Sequence, residues 1–304
     1  MDFNSLLKPM QKSSIKITYD KKFTGKSPIG TSKVGGKPDL PTDFKWFNFI
    51  GAPFSGTEFQ GEVKSRPLSF LAQVNCKEAS RYDRDKLLPI TGMLYFFYEI
   101  STWTVGETDL EGNNSALVYY YPGSISELQE TNFPIDLSEE YQIPEMPMTF
   151  TVENNLPDFE EFIEWHDYGN FSHQQQWARW WKKRSDGSSL FDEFNEARKK
   201  ITPHYSQEED QNKLLGYANI IQNGMLLECE EIAGNVCSER PIPESQYRKL
   251  KEQYTKWQLL FQLDSIQTPN YEMFWGDGGI LYYYIKIDDL LNRNFNKSVF
   301  MFRC

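Results

Sequence analysis

The side chains best placed to do chemistry in this 304-residue sequence are two glutamines and one aspartate. Gln73 lies in Phe70-Leu71-Ala72-Gln73-Val74-Asn75, and Gln262 lies in Leu259-Leu260-Phe261-Gln262-Leu263-Asp264. A carboxamide carries two N–H donors and an acceptor oxygen, so an amide set among apolar residues must find partners in the protein or in a ligand. Asp277 sits in Trp275-Gly276-Asp277-Gly278-Gly279. Three glycines there let backbone approach a ligand closely or adopt left-handed angles. The carboxylate could hold a hydroxyl, an amine or a metal, and the same residues also read as an Asp-Gly turn leading into a strand. Gln73, Gln262, Trp275, Asp277 and Gly278 are therefore the candidate ligand-binding set, in a pocket where the two glutamine strands meet the glycine loop.

Other reactive residue types fall into no catalytic pattern. The histidines are His166, His173 and His204, and none forms H-E-x-x-H, so no metal set is assigned. There is no G-x-S-x-G elbow. Gly35-Gly36 reads as a tight turn because no Gly-Lys-Ser/Thr follows it, which excludes a phosphate loop of that type. Cys76 follows Asn75 at a strand end without a local base and reads as a buried or incidental thiol. Asp288-Asp289 reads as a helix cap. Trp177, Trp180 and Trp181, followed by Lys182, Lys183 and Arg184, could stack on nucleic acid or form a core stripe with cations at a helix end. No catalytic residue and no cofactor is assigned.

The elements that must position these residues are mainly strands. Ile15, Ile17 and Tyr19 alternate with Lys16 and Thr18, the mark of a half-buried strand. Strands are also expected at Ser69 to Asn75, Met93 to Tyr98, Ala116 to Tyr121, Trp257 to Leu263 and Gly279 to Ile287, with a short helix from Asp288. The middle changes period. Phe159, Phe162 and Ile163 follow acidic residues at helical spacing, and Leu190, Phe191, Phe194, Ala197 and Ile201 repeat that pattern. A helical insert over residues 157–201 follows, with turns near Asp167 to Asn170 and Ser185 to Ser188. The class is α+β, a mostly antiparallel β core with a helical middle.

The two ends share an order of residues. After each glutamine strand comes a loop and then Gly92-Met93-Leu94-Tyr95-Phe96-Phe97 or Gly279-Ile280-Leu281-Tyr282-Tyr283-Tyr284. Gly36 to Pro41 and Gly216 to Ile221 form a fainter third match ahead of each copy. This predicts an internal duplication with halves over residues 15–150 and 205–304 in a single domain spanning 1–304. Simple alternation puts Leu71, Gln73 and Asn75 on one face and Phe70, Ala72 and Val74 on the other. Leu260, Gln262 and Asp264 oppose Leu259, Phe261 and Leu263 in the same way.

The chain resembles the YwqG-like family. The resemblance rests on Gly35-Gly36-x-Pro38 with Leu40-Pro41, Pro67-Leu68-x-Phe70-Leu71-Ala72-Gln73, and Leu88-Pro89-x-x-Gly92-x-Leu94-x-Phe96-Phe97. It continues through Leu214-Leu215-Gly216-Tyr217 with Gln222, Trp257-x-Leu259-Leu260-x-Gln262-Leu263-Asp264, Trp275-Gly276-Asp277-x-Gly279, and Asp289-Leu290 with Phe295. It implies a bacterial-type fold with a duplicated β core and no established activity. Some relatives are encoded near toxin systems, which implies an interaction or immunity role.

Composition narrows the partners. The formal net charge is -11, which disfavours nonspecific nucleic-acid binding and docking on anionic lipid, since both need clustered cations. It permits a basic protein partner. Aromatic residues make up 15% of the chain, enough for a thick core and too many for a disordered one. Cys76, Cys229, Cys237 and Cys304 form no C-x-x-C pair and fit reduced thiols, hence a cytoplasmic setting. No basic start with an apolar run precedes Asp20, and the apolar stretch from Ile280 to Ile287 is too short to span a bilayer. Asn-x-Ser triplets at Asn113, Asn170 and Asn296 then read as accidental. The expected function is noncatalytic binding or protein interaction; the alternative is a small-ligand binder or enzyme using the glutamine pocket. Oligomeric state is left unassigned.

Overall fold

A computed structural model describes residues 2–52, 58, 60–101, 115–166, 178–203, 210–234 and 242–304. Asn113, the turn at Asp167 to Asn170, His173, Trp177, His204 and Cys237 lie outside the described residues, as does the side chain of His166. The strands in chain order are β1 (Lys12–Tyr19), β2 (Lys33–Val34), β3 (Asp39–Pro41), β4 (Asn48–Gly51), β5 (Lys64–Pro67), β6 (Ser69–Asn75), β7 (Met93–Tyr98), β8 (Ala116–Tyr121), β9 (Leu128–Glu130), β10 (Met146–Asn155), β11 (Lys213–Leu214), β12 (Trp257–Asp264), β13 (Ile266–Gln267), β14 (Glu272–Met273), β15 (Ile280–Lys286) and β16 (Val299–Arg303). The helices used below are α1 (Phe3–Leu7), α2 (Cys76–Ala79), α3 (Phe159–His166), α4 (Leu190–Ile201), α5 (Leu226–Ala233), α6 (Glu244–Tyr254) and α7 (Ile287–Leu291).

Ten strands form one antiparallel sheet in the order β16-β15-β12-β11-β1-β10-β2-β6-β7-β8. β1 and β10 pair at its centre over Lys12↔Asn155 to Tyr19↔Met148. The sheet curls until its two wings face each other as a nearly closed barrel. Phe96 of β7 lies 4.1 Å from Phe261 of β12, and Tyr98 stacks on Phe300 of β16 at 4.6 Å between ring centroids. The Tyr283 hydroxyl reaches across to the carbonyl of Phe97 at 2.9 Å. Tyr120 of the β8 edge meets Phe295 at 5.2 Å, so the segment before β16 bridges the gap. Fully buried faces on both sides explain why β6, β7, β12 and β15 read as continuous apolar runs.

Four apolar clusters hold the layers. The barrel interior gathers Ile15, Ile17, Phe96, Phe150, Phe261 and Tyr283. Outside the first wing, Phe70, Tyr95 and Phe97 are covered by Phe49 of the β4–β5 ribbon and by Phe44, Trp46 and Phe47. Outside the second wing, Trp257, Tyr282 and Tyr284 are covered by α5 and α6. The helical middle makes its own core, where Phe159, Phe162, Trp180 and Phe194 pack with Phe3 and Leu7 of α1. Trp180 is fully buried there, while Trp181 is 38% exposed and stacks on Phe191.

Two expectations are corrected. The β6–β7 register shifts between Phe70 and Ala72, and the β12–β15 register shifts between Leu259 and Phe261. A bulge inserts one unpaired residue, so alternation reverses across it. Leu71 therefore joins Ala72 and Val74 in the barrel, and Phe70 goes to the opposite side. Leu260 and Leu259 part in the same way. Asp288 and Asp289 do not cap α7. Lys286 holds the N-cap position without a side-chain bond, and Asp289 instead accepts from Asn294 and Lys297.

The turn after β2 has little room for change. Gly35 and Gly36 have φ of 60° and 69°, and a Cβ on Gly35 would stand 2.3 Å from the Pro144 carbonyl oxygen. Gly278 also has positive φ, at 97°, but a Cβ there would meet nothing within 4 Å. Gly35→Ala is expected to cost more than about 3 kcal/mol, combining left-handed strain with a backbone clash, and Gly278→Ala about 1 kcal/mol from strain alone. Urea unfolding of the two variants measures the difference.

Candidate functional site

The glutamines anchor two matching polar nodes. On the first wing the Gln73 amide is fully buried, opposite Lys33 of β2 in the sheet. Its oxygen accepts from Asp39 N at 2.9 Å, and its nitrogen donates to Thr31 O at 2.8 Å and to Asp39 Oδ2 at 2.7 Å. Tyr95 closes the node, donating from Oη to the Asp39 carbonyl at 2.5 Å. On the second wing Gln262 is fully buried, opposite Lys213 of β11. Its oxygen accepts from Asn219 N at 2.9 Å, and its nitrogen donates to Gln211 O at 2.5 Å and to Asn219 Oδ1 at 2.9 Å. Tyr282 donates to the Asn219 carbonyl at 2.6 Å. Thr31, Lys33, Gly36 and Asp39 thus recur at the same spacing as Gln211, Lys213, Gly216 and Asn219.

Both amide hydrogens and the oxygen of each glutamine are used within the chain, leaving no donor for a ligand. Trp275 is buried too, edge-on to Tyr98 at 6.4 Å. Its backbone begins a turn closed by Gly279 N donating to Trp275 O at 2.6 Å, with Gly276 and Gly278 at positive φ. Asp277 and Gly278 are exposed on that turn. The five candidate residues therefore divide into buried framework and one exposed loop. Cys76 is buried at the start of α2, and burial pushes its thiol up to about 12, which suits an inert thiol. Among the described residues no group of three or more His, Cys, Asp or Glu is placed to hold a metal, and no helix is long and apolar enough to cross a membrane.

The charged groups beside the nodes were not singled out by sequence reasoning. Lys33 is buried and donates to Glu145 Oε2 at 2.9 Å and to Lys37 O at 2.8 Å, with Asp39 Oδ1 at 3.9 Å. Burial alone would raise the Glu145 carboxyl, but its bonds to Lys33 and Ser27 outweigh that and hold it below the usual range. At the second node α3 brings carboxylates over β1 and β11. Asp158 pairs with Arg198 of α4 at 2.6 Å and accepts from Ile220 N at 2.7 Å. Glu164 accepts from Leu226 N at 3.3 Å, and Tyr254 Oη donates to the Glu164 carbonyl at 2.6 Å. Lys12 reaches Gln258 Oε1 at 3.4 Å and lies 4.2 Å from the Tyr217 ring centre. Burial drives Glu161 up to about 7 and Glu164 up to about 8, and drives Lys213 down to about 8. The equal spacing of Lys33 and Lys213 before Asp39 and Asn219 was the signal that could have found these lysines.

Two surface concavities are lined mainly by polar residues. A cleft of about 280 Å³ is lined by Lys64, Arg66, Ser69, Glu99, Asp136 and Tyr141. An open groove of about 370 Å³ runs between α1 and α4, where Asp2, Asp192, Glu193 and Glu196 outnumber Lys200.

A family model described as a domain of unknown function (DUF1963) matches residues 32–304 of the chain. No curated protein matches it.

Two outcomes test the polar nodes. Gln73→Leu would leave the Asp39 N–H and the Thr31 carbonyl without their partner, and is expected to cost about 3 kcal/mol in urea unfolding. The carboxyls give a pH signature. Folded Glu161 and Glu164 keep protons up to about 7 and about 8, whereas a glutamate in water ordinarily loses its proton near 4.5. The stability they contribute is full below about 4.5 and is lost as pH rises to about 8. Glu164→Gln keeps an acceptor for Leu226 N without a charge, so its thermal midpoint should match the parent at acid pH and exceed it by several degrees in mild alkali. Parallel midpoint curves across that range would oppose the assignment.

Proposed function

The chain belongs to the DUF1963 family, and from that premise we propose that it is a noncatalytic, cytoplasmic binding protein that captures a basic protein segment. The observation that carries this reading is the groove between α1 and α4, with four carboxylates to one ammonium on a chain of net charge -11. Among the described residues the groove carboxylates Asp192, Glu193 and Glu196 pair with exposed Lys183, Arg184 and Lys199. Such exposed pairs are weak, so a cationic partner can exchange into them, drawn by long-range attraction.

The motif blocks from Gly35 to Phe295 support placing the chain among YwqG-like proteins, and that resemblance favours an immunity-type form of the role with a toxin as the basic partner. The group-for-group match of the Gln73 and Gln262 nodes supports descent of the core from a duplicated β unit, with the helical segment inserted between the copies. The alternative of a ligand pocket between the glutamine strands keeps support only at the exposed Asp277 and Gly278.

An oligolysine peptide is the probe for the groove. Fluorescence titration should show binding that weakens steeply with salt, as expected for exposed charges. A Glu193→Gln, Glu196→Gln double variant should bind several-fold more weakly while unfolding at the same urea concentration. Equal affinity for both proteins, or no binding at low salt, would overturn the reading.

A further inference from the structure

The cleft of about 280 Å³ shares no lining residue with the glutamine nodes or with the groove between α1 and α4. It lies where β5 passes into β6 and where β7 ends. Lys64 and Arg66 come from β5, Ser69 opens β6 opposite Tyr98, and Glu99 follows β7. Asp136 and Tyr141 complete the lining, and Tyr141 packs against the barrel core. The mouth of a barrel is a common place for a small-molecule site, and this volume is near the lower end for one, about 300 Å³.

The deepest groups in the cleft are polar. Ser69 and Glu99 are each only 1% exposed. Ser101 fixes the Glu99 carboxylate, donating to Oε1 from its backbone N at 3.1 Å and also from its hydroxyl. The Ser69 hydroxyl makes no hydrogen bond among the described residues. A buried hydroxyl without a partner is costly unless something enters to meet it. Burial raises the Tyr141 hydroxyl above its ordinary value, with Glu140 and then Glu99 adding to this, so it stays a neutral hydrogen-bonding group. Two opposite charges stand exposed at the rim. The Lys64 ammonium and the Asp136 carboxylate form no ion pair among the described residues. Arg66 is committed to backbone carbonyls, with Nη1 donating to Lys64 O at 3.3 Å and Nη2 to Glu62 O at 3.2 Å. We propose that this cleft binds a small zwitterion of the amino-acid class, its ammonium toward Glu99 and Asp136 and its carboxylate toward Lys64. Ser69 and Tyr141 meet its remaining polar groups. A simple amine would face the Lys64 ammonium, and a simple carboxylate would face Glu99 and Asp136, so each is disfavoured by like charge.

The test titrates the full chain with each of the standard amino acids in turn. Binding is read as a saturable rise in thermal midpoint and as saturation transfer to the ligand protons. At least one amino acid should bind, and the amine and the carboxylic acid that each lack one of its charged groups should bind several-fold more weakly. Lys64→Met and Asp136→Asn, both at exposed positions, should each weaken binding several-fold while unfolding at the same urea concentration. Glu99→Gln should abolish it. Ser69→Ala removes an unbonded hydroxyl, so it should fold at least as stably as the parent and bind more weakly, which keeps the test open if Glu99→Gln does not fold. The Glu193→Gln, Glu196→Gln variant should bind the amino acid as the parent does, so this site and the oligolysine groove are read separately. No saturable response to any amino acid, equal binding of the amine or of the acid alone, or full affinity kept by both Lys64→Met and Asp136→Asn would each overturn the proposal.

Discussion

A buried carboxamide must have all of its hydrogen-bonding capacity met, and much of this molecule is arranged around two that are. Gln73 and Gln262 sit on the strands next to β2 and β11, two of the shortest in the sheet. Those strands gain little from their own ladders. Each is held instead by bonds from the glutamine to the residue two before the strand and to an Asp or Asn beyond the turn. The requirement extends to the turns, where Gly35, Gly36 and Gly216 take left-handed angles so that the chain can fold back over the amide. It extends also to Tyr95 and Tyr282, whose hydroxyls reach the carbonyls of Asp39 and Asn219.

The curled sheet follows from the same strands. A bulge beside each glutamine strengthens local twist and reverses the side-chain pattern upstream. The reversal sends Phe70 and Leu259 outward, where each needs its own cover. The chain solves this differently on the two wings. A two-stranded ribbon and an aromatic loop cover the first, and α5 with α6 cover the second. With both faces of the sheet buried, aromatic side chains are economical core material, and the wings close on Phe96, Phe261 and Tyr283.

Electrostatically the wings are not equal. The first keeps its buried lysine in a compact pair with Glu145. The second crowds Asp158, just before α3, and Glu161 and Glu164 of α3 near Lys12, Lys213 and Arg198, and desolvation shifts Glu161, Glu164 and Lys213 toward neutrality. Buried groups of that kind weaken a fold unless they are used, which is why this interface between the helical middle and the sheet stands apart from the satisfied glutamine nodes.

Much of the frame was legible in the residues. Alternation and apolar runs located β6, β7 and β8 to the residue, and helical spacing located α3 and α4, because those signals are local. The shared residue order around Gln73 and Gln262 was likewise plain. Which face Leu71 or Phe70 takes was not legible, since one bulge residue flips everything before it and leaves no mark in composition. Nor could the sequence name the partners of the amides. Thr31 and Asp39 lie far from Gln73 along the chain, and the pairing of β2 with β6 brings them together. The ion pair of Lys33 with Glu145 belongs wholly to the tertiary structure. Lys33 lies on β2 and Glu145 just before β10, and the pairing of those two strands decides which charge meets which.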